Sequence, residues 1–393
     1  MKVPQLDLTT QYHSVKEEIN SAIISVLKSG IVINGGNVKK IENSLAAYSG
    51  TKYGIGVANG SDAIFIALKA LGISPEDCVI SPPFTFFATA GSIVRTGATP
   101  IFVDIESQTY NLDPIKLRDF IETNCIFDTK TNQLINHQTG QPIKAIIPVH
   151  LYGQMCKMDE IMEIAREYNL KVVEDCAQSI GSEYKGKKSG SYGDLGTFSF
   201  FPTKNLSTYG DGGMIVTSLQ EYAEYCKIFR SHGSKPKYYH KFIGINSRLD
   251  ELHAAILNIK FKYLNKWLED RFQAALRYQK LFEKYNLLDK IRLPVRDIHN
   301  IKNHKEHTFH QYVIFVENRD RLQEFLKEND IGTNIYYPLC LHLQECFKYL
   351  GYKDGDFPIA EEASKKVLAL PMYPELTEDK QEYVVNKISK FYN

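Results

Sequence analysis

Residues 196–217 read GTFSFFPTKNLSTYGDGGMIVT, in which Lys204 and a glycine-rich turn lie between two short apolar runs. Similar runs recur upstream, several of them separated by segments with apolar residues at helical spacing. They are YGIGVA (53–58), CVIS (78–81), TPIFVD (99–104), KAIIPVH (144–150) and LKVVED (170–175). Buried strands that alternate with helices are typical of a largely parallel sheet. The sequence therefore predicts an α/β fold whose ligands bind at the carboxyl ends of the strands.

The pattern changes after this α/β region. A long helical segment of mixed charge, residues 248–285, suits a connector between domains. It is followed by FHQYVIFV (309–316), a helix near 319–329 and two further helical segments. We therefore expect a large domain over residues 1–247, including the N-terminal segment, and connector helices with a smaller α+β domain over 248–393.

One polar stretch, from about Thr123 to Pro142, interrupts the alternation just before the run at 144–150. Two interpretations are open. The stretch is either a surface excursion or a flap near the substrate or a partner subunit.

The overall composition narrows the functional classes. The chain has 47 basic and 46 acidic residues, so no surface for nucleic acid or an anionic membrane is expected. The start carries no basic end followed by an apolar core, and no stretch approaches the roughly 20 apolar residues of a membrane helix. The seven cysteines are scattered and lack CxxC spacing, so we expect reduced thiols in a cytoplasmic protein, without a disulfide scaffold or metal site.

Two residues are candidates for a role in catalysis. Lys204 lies between a strand and a glycine-rich turn, where Gly210, Gly212 and Gly213 allow close approach of the backbone. A lysine that forms a Schiff base must be partly desolvated, because only the neutral amine is nucleophilic. Asp175 ends the strand of VVEDCAQSIGS (172–182), where a carboxylate can keep the ring nitrogen of pyridoxal 5'-phosphate (PLP) protonated. A surface lysine and a helix-capping aspartate are the simpler alternatives.

A candidate phosphate site lies in ANGSDAIFIALKAL (58–71). A small-residue turn that opens a helix offers free N–H groups and a positive dipole end, with Gly60 and Ser61 as donors. The alternative is an ordinary helix cap by Ser61 or Asp62. Ser199 is a further candidate for the phosphate. Phe86, in PPFTFFATA, can stack on the cofactor ring or belong to the core.

Together these residues resemble the DegT/DnrJ/EryC1/StrS sugar aminotransferases, which have PLP fold type I. The likeness extends over nearly the whole chain through ordered motifs. They include VPQLDLTTQY, ANGSDAI, PPFTFFATA, VRTGATPIFVDI, PVHLYGQ, VVEDCAQSIGS, FSFFPTKNLSTYGDGG, GINSRLDELHAAIL and ALPMYPELTED. The chain departs from the family pattern at His253, where Gln is usual, and at Ser207, where a glycine is common.

The resemblance implies a role for each matching residue. It makes Lys204 the Schiff-base lysine and Asp175 the partner of the ring nitrogen, with Gln178 beside the ring oxygen. It implies that Phe86 stacks on the ring. Gly60, Ser61, Ser199 and Asn246 would bind the phosphate, Asn246 from the neighbouring subunit. The resemblance thus implies a homodimer whose chains share each active site.

The resemblance also implies the reaction. L-glutamate would convert PLP to pyridoxamine 5'-phosphate (PMP) and leave as 2-oxoglutarate, and a nucleotide-linked keto-sugar would then accept the amino group. Relatives that carry histidine in place of the lysine dehydrate their sugar, so Lys204 favours transamination. A PLP-dependent sugar dehydratase and a non-catalytic regulatory homologue are the rival interpretations.

The sugar that accepts the amino group is less well defined. The segment 232–252 is most similar to relatives that aminate C3 of dTDP- or UDP-linked hexoses, although C4 amination stays open. Its basic and aromatic residues, among them Tyr239 and His240, suit either a diphosphate or an exposed charged loop. His150 and Tyr152 are candidates for sugar contacts, with a structural histidine as the alternative for His150. His310 is a weaker candidate. In the family the product usually enters surface polysaccharides such as O-antigen.

Overall fold

The computed structural model describes residues 1–295, 298, 301 and 303–392. The strands that it describes are β1 (Tyr53–Val57), β2 (Cys78–Ser81), β3 (Thr99–Phe102), β4 (Cys125–Asp128), β5 (Gln133–Asn136), β6 (Pro142–Ile146), β7 (Lys171–Asp175), β8 (Glu183–Tyr184), β9 (Lys187–Lys188), β10 (Leu195–Ser199), β11 (Gly213–Thr217), β12 (Ile291–Arg292), β13 (Tyr312–Val316) and β14 (Val367–Leu370). The helices are α1 (Leu8–Ser29), α2 (Gly36–Ser49), α3 (Gly60–Ala70), α4 (Ala88–Arg95), α5 (Pro114–Asn124), α6 (Met158–Glu167), α7 (Gln220–Phe229), α8 (Glu251–Lys284), α9 (Arg319–Glu328), α10 (Pro358–Lys366) and α11 (Glu378–Tyr392). No helix in these residues is long and apolar enough to cross a membrane.

The large sheet confirms the predicted α/β architecture. Its strands follow the order β1-β11-β10-β7-β6-β2-β3. The five strands from β10 to β3 are parallel, whereas β11 is antiparallel to both β10 and β1. Five short runs that the sequence marks as strands, together with the two that flank Lys204, all lie in this sheet. The parallel strands end at one edge, and the candidate site lies there.

Alternating side chains along the strands pack on opposite faces of the sheet. Val173 and Val79 contribute to the core under α3 and α7. Val172 and Ile80, one position away in each strand, contribute to the core under α5 and α6. This two-residue period is what a strand covered on both faces requires.

A second layer forms around the antiparallel strands β12-β13-β14. Helix α8 links the two layers, since Leu257 packs in a core of the large sheet and Tyr278 packs in the core of the second layer. Val3 also lies in that second core, and its N–H and carbonyl groups bond to Asp330 and Gly332 over 2.9 and 2.8 Å. The first residues therefore pack against the C-terminal layer, and the division of the chain at residue 248 stays a prediction.

The polar stretch at 123–142 forms the hairpin of β4 and β5. Leu134 and Ile135 of β5 pair with Ile143 and Pro142, at the beginning of β6. The candidate site is at the other end of this parallel strand. The hairpin therefore lies away from the site of its own chain, and a position beside a partner subunit stays a prediction.

Candidate functional site

A cavity of about 720 Å³ opens at the carboxyl ends of β7 and β10. It brings together eight residues that the sequence singled out. They are Gly60, Ser61, Phe86, Asp175, Gln178, Ser199, Lys204 and His310. Segments far apart in the chain meet here because parallel strands end at the same edge of the sheet.

Lys204 lies half-buried in the wall of this cavity, in the turn after β10. Its backbone N–H donates to the Phe201 carbonyl over 2.9 Å, which tightens the turn. Burial lowers the pKa of Lys204 to about 8, and the Asp175 carboxylate opposes that change. Near neutral pH a useful fraction of the amine is thus unprotonated and nucleophilic.

Asp175 is buried at the end of β7. Its Oδ2 accepts a hydrogen bond from Thr89 Oγ1 over 2.9 Å, and its Oδ1 accepts one from the Ala177 N–H over 3.1 Å. Burial raises the pKa of Asp175, and the two hydrogen bonds and the charge of Lys204 oppose that rise. The carboxylate is therefore fixed in orientation and ready to pair with a cationic group in the cavity.

The first turn of α3 forms the candidate phosphate site. The helix is capped by Asn59, whose side chain accepts from the Asp62 N–H over 2.8 Å, rather than by Ser61 or Asp62. A Cβ added to Gly60 would lie 2.7 Å from the Cβ of Ser199. Glycine is therefore required for the close approach of the helix to β10, and the free N–H groups of the first helical turn remain open to an anion.

Gln178 is buried, and both ends of its amide are bonded. Its Oε1 accepts from the Tyr152 N–H over 2.7 Å, and its Nε2 donates to the Tyr337 hydroxyl over 3.0 Å. Tyr337 also lines the cavity, where its ring lies 5.9 Å from the ring of Phe86. Phe86 is 56% exposed and therefore belongs to the cavity wall rather than to the core.

His150, a candidate for sugar contacts, does not reach the cavity of its own chain. The side chain is fully buried and does not line the cavity. Its Nδ1 accepts from the Cys156 N–H over 3.2 Å, so Nε2 carries the hydrogen that it donates to Glu174 over 2.9 Å. His150 is therefore a structural histidine with both ring nitrogens bonded. The Glu174 carboxylate also accepts from the backbone N–H groups of Gly190, Tyr192 and Gly193.

Tyr152 is also buried and does not line the cavity, and its sugar contact stays a prediction. Its hydroxyl donates to the Tyr336 carbonyl, and its N–H bonds to Gln178. Its φ of 59° places this residue in the left-handed region, which sends the side chain and the N–H in these directions. Tyr152 thus supports cavity residues without reaching the cavity itself.

His310 reaches the cavity and is neutral there. Burial lowers its pKa well below the ordinary value, and the charges of Lys204 and Arg271 act in the same direction. Its Nδ1 lies 3.3 Å from Asn205 Oδ1, and Asn205 Nδ2 donates to the Thr308 carbonyl over 3.4 Å. The Asn205 amide therefore places the imidazole hydrogen on Nδ1.

Three further predicted residues do not line the cavity of their own chain. Tyr239 is 71% exposed, and His240 is exposed with its Nδ1 at 2.8 Å from the His232 carbonyl oxygen. Asn246 is exposed as well. These three side chains are therefore separate from the candidate site of their own chain.

The sequence reasoning missed Thr89, Asn59, Tyr336 and Tyr337. Thr89 lies within the motif PPFTFFATA and Asn59 within ANGSDAI, so their neighbours carried a signal. Tyr336 and Tyr337 lie in a segment with no strand or helix, far from the other motifs in sequence. Only the packing of the second layer against the large sheet brings them to the cavity.

The residues present fit PLP. The close contact of Gly60 with Ser199 forms a cradle that has no room for an additional Cβ. Lys204 supplies an amine of lowered pKa, and Asp175 supplies a buried carboxylate in the same cavity. An anion cradle, an imine-forming amine and a partner for a ring nitrogen are the three groups that this cofactor needs.

Comparison with known proteins supports this interpretation. Residues 13–389 match the family described as DegT/DnrJ/EryC1/StrS aminotransferases. A relative from Geobacillus stearothermophilus named pleiotropic regulatory protein is 50% identical, with 100% of this chain and 99% of the relative covered. The dTDP-3-amino-3,6-dideoxy-alpha-D-galactopyranose transaminase of Aneurinibacillus thermoaerophilus is 40% identical, with 99% of each chain covered.

Solved structures are similar over the same length. DesV of S. venezuelae, in complex with a ketimine intermediate, aligns with a TM-score of 0.89 at 34% identity, covering 99% of this chain and 98% of DesV. NtdA of Bacillus subtilis with bound cofactor PMP aligns with a TM-score of 0.85 at 33% identity, covering 98% of this chain and 84% of NtdA.

Proposed function

The chain belongs to the DegT/DnrJ/EryC1/StrS aminotransferase family as a PLP-dependent enzyme of fold type I, and we propose that it transfers an amino group from L-glutamate to C3 of a nucleotide-linked keto-sugar. The observation that carries this proposal is the cavity that Lys204, Asp175 and Gly60 line together. The product would enter a surface glycan, and the reaction would take place in the cytoplasm.

Several relatives support amination at C3. The Aneurinibacillus relative acts at a 3-amino position of a dTDP-sugar. A 38% identical relative from Acidithiobacillus ferrooxidans is named a 3-aminotransferase of UDP-N-acetyl-3-dehydro-alpha-D-glucosamine. Both dTDP and UDP sugars are therefore candidate acceptors, and a C4 keto-sugar is the alternative within the same chemistry.

Each cavity residue has a defined task in this proposal. PLP supplies an electron sink for the carbon that loses a proton. Lys204 Nζ takes that proton from the amino-bearing carbon of the donor and returns one to the acceptor carbon in the reverse half. Asp175 holds a proton on the ring nitrogen, and the first turn of α3 with Ser199 holds the phosphate.

We further propose a homodimer with shared sites. Exposed Tyr239, His240 and Asn246 lie outside the cavity of their own chain, which suits a role in the site of a partner. Exposed apolar residues accompany them, including Ile243 at 96% exposure and Ile31 at 58%. Apolar side chains of this size are typical of a surface that a second subunit covers.

A regulatory role is the second candidate, because the relative at 50% identity is named a regulatory protein. The complete set of Lys204, Asp175 and the phosphate cradle favours an enzyme. A non-catalytic homologue has no need for an amine of lowered pKa opposite a buried carboxylate.

An absorbance spectrum of the PLP-loaded protein tests the first half-reaction. Excess L-glutamate should decrease the visible band of the cofactor joined to Lys204, increase the shorter-wavelength absorbance of PMP and release 2-oxoglutarate. The PMP form is then given 3-keto and 4-keto nucleotide sugars. The Lys204→Ala protein is the control and should show neither change. A visible band that glutamate leaves unchanged would contradict L-glutamate as the amino donor. A PMP form that none of the keto-sugars converts back to PLP would favour the regulatory role.

A further inference from the structure

The orientation of the Gln178 amide is determined by its two partners. Its Oε1 lies 2.7 Å from the Tyr152 backbone nitrogen, which can only donate. The other end of the amide must therefore be Nε2, which donates to the Tyr337 hydroxyl oxygen over 3.0 Å. Nε2 carries two hydrogens, and within the part of the chain that the structure describes only the one donated to Tyr337 has an acceptor.

The Tyr337 hydroxyl also keeps a free hydrogen. Its oxygen accepts from Gln178, and no protein acceptor for its O–H group lies within hydrogen-bonding distance among the described residues. Burial raises the pKa of Tyr337, and the charge of Asp175 acts in the same direction, so the phenol stays protonated. Two free hydrogens, one on Gln178 and one on Tyr337, thus belong to atoms 3.0 Å apart at the cavity.

Tyr152 fixes these two donors relative to each other. Its backbone N–H holds Gln178, and its hydroxyl donates to the carbonyl of Tyr336, the residue before Tyr337. The Tyr337 ring is further held between Phe86 at 5.9 Å and Phe84 at 6.3 Å. The pair is therefore preorganised to donate to a single oxygen acceptor.

We propose that Tyr337 is a cofactor-binding residue that donates, together with Gln178, to the phenolic oxygen of PLP. This inference rests on the assignment of PLP and not on the sugar. The resemblance assigns Gln178 to that oxygen, and the structure adds a second donor next to it. A donor at this oxygen withdraws negative charge from the atom nearest the imine nitrogen that Lys204 forms. The imine therefore binds a proton less tightly than it would beside an oxygen with one donor.

A spectrophotometric pH titration of the PLP-loaded enzyme without any sugar tests the proposal. The protonated and unprotonated imines absorb at different wavelengths, so the titration gives the midpoint directly. In the Tyr337→Phe protein the midpoint should rise by about one pH unit, since a hydrogen bond to a charged group contributes about 1.5 kcal/mol. The substitution removes one oxygen atom and keeps the ring packing, so thermal unfolding should be nearly unchanged.

Two further variants serve as a control and as a comparison for Tyr337→Phe. Tyr349→Phe removes a hydroxyl from a tyrosine that is 65% exposed and outside the cavity, and its midpoint should equal that of the parent. Gln178→Leu should raise the midpoint through loss of the other donor. The proposal is overturned if Tyr337→Phe leaves the midpoint unchanged while Gln178→Leu raises it. If the visible band titrates but the protein aminates no sugar, the proposed function is contradicted and the role of Tyr337 is not. The lack of any visible band after PLP addition would overturn both.

Discussion

Thr89 Oγ1 donates a hydrogen bond to Asp175 Oδ2 over 2.9 Å, and both side chains are buried. The hydroxyl comes from α4 and the carboxylate from the end of β7, so the contact joins two elements of the sheet edge. Burial raises the pKa of Asp175, and this hydrogen bond opposes that rise because it stabilises the charged carboxylate. Thr89 thereby favours the ionised form of Asp175, which is the form that could pair with a protonated ring nitrogen.

Replacement of Thr89 by valine should lower kcat about tenfold at neutral pH, because a hydrogen bond to a charged group contributes about 1.5 kcal/mol. The pKa of Asp175 should rise, and the acid limb of the pH–rate profile should move to higher pH. Thr96→Val is the matched control, since buried Thr96 caps the same helix and its hydroxyl bonds to the Ile93 carbonyl and the Ala98 N–H, away from Asp175. Equal pH profiles for Thr89→Val and the parent would contradict this role.

The rate of PLP incorporation into the apoenzyme should follow the unprotonated fraction of Lys204. Since burial lowers its pKa to about 8, the rate should rise through that pH and then level off. Asp175→Asn removes the charge that favours the protonated amine, so the midpoint should move to lower pH. Stopped-flow absorbance measures both curves. A rate that keeps rising into the range of an ordinary lysine would show that Lys204 is solvated.

Gly60→Ala should weaken PLP binding by at least about tenfold, because overpacking costs about 1–3 kcal/mol. The added Cβ would meet Ser199 at 2.7 Å. Addition of Ser199→Gly should relieve the clash, so the double variant should bind PLP about as well as Ser199→Gly alone. Gly36→Ala is the control, since no atom lies within 4 Å of its added Cβ. Fluorescence titration with PLP gives the affinities. If Gly60→Ala bound PLP with the affinity of the parent, the contact of Gly60 with Ser199 would not be part of the phosphate site.

His150→Leu should lower the free energy of unfolding by about 1–3 kcal/mol, because it removes a bonded partner from buried Glu174. The KM for the acceptor should change by less than about twofold, since the side chain makes no contact with the cavity. Thermal unfolding and steady-state kinetics give the two values. A large rise in KM without loss of stability would restore the sugar contact expected from the sequence.

Complementation tests the shared site. Lys204→Ala and Asn246→Ala homodimers should each have little activity. After the two proteins are unfolded and refolded together, a mixed dimer has one site with both Lys204 and Asn246 if Asn246 acts in the partner's cavity. Random mixing should then restore about a quarter of the parent activity per subunit. Activity no higher than the average of the two variants would place Asn246 in its own chain's site, or in none.

Much of the large sheet could be predicted because its signal is local. Each buried strand is a short apolar run, and the parallel order places the ends of the runs at 170–175 and 196–201 at one edge. Asp175 ends one such run, and Gly60 and Lys204 come shortly after the ends of two others. Their meeting in one cavity therefore follows from the same rule. The helices α1 and α2 were not predicted. The polar stretch at 123–142 gave no sign of the hairpin that it forms on β6.

The sequence by itself determined the α/β fold, the family and the cofactor, because each of these depends on contiguous motifs. Only the tertiary structure decided which neighbouring side chains face the cavity. Tyr152 turns away because its backbone lies in the left-handed region, and His150 is directed to Glu174. Thr89 and Tyr337 enter the site because distant elements pack against the sheet edge. Side-chain direction depends on backbone angles and long-range packing, and neither is encoded in the spacing of a motif.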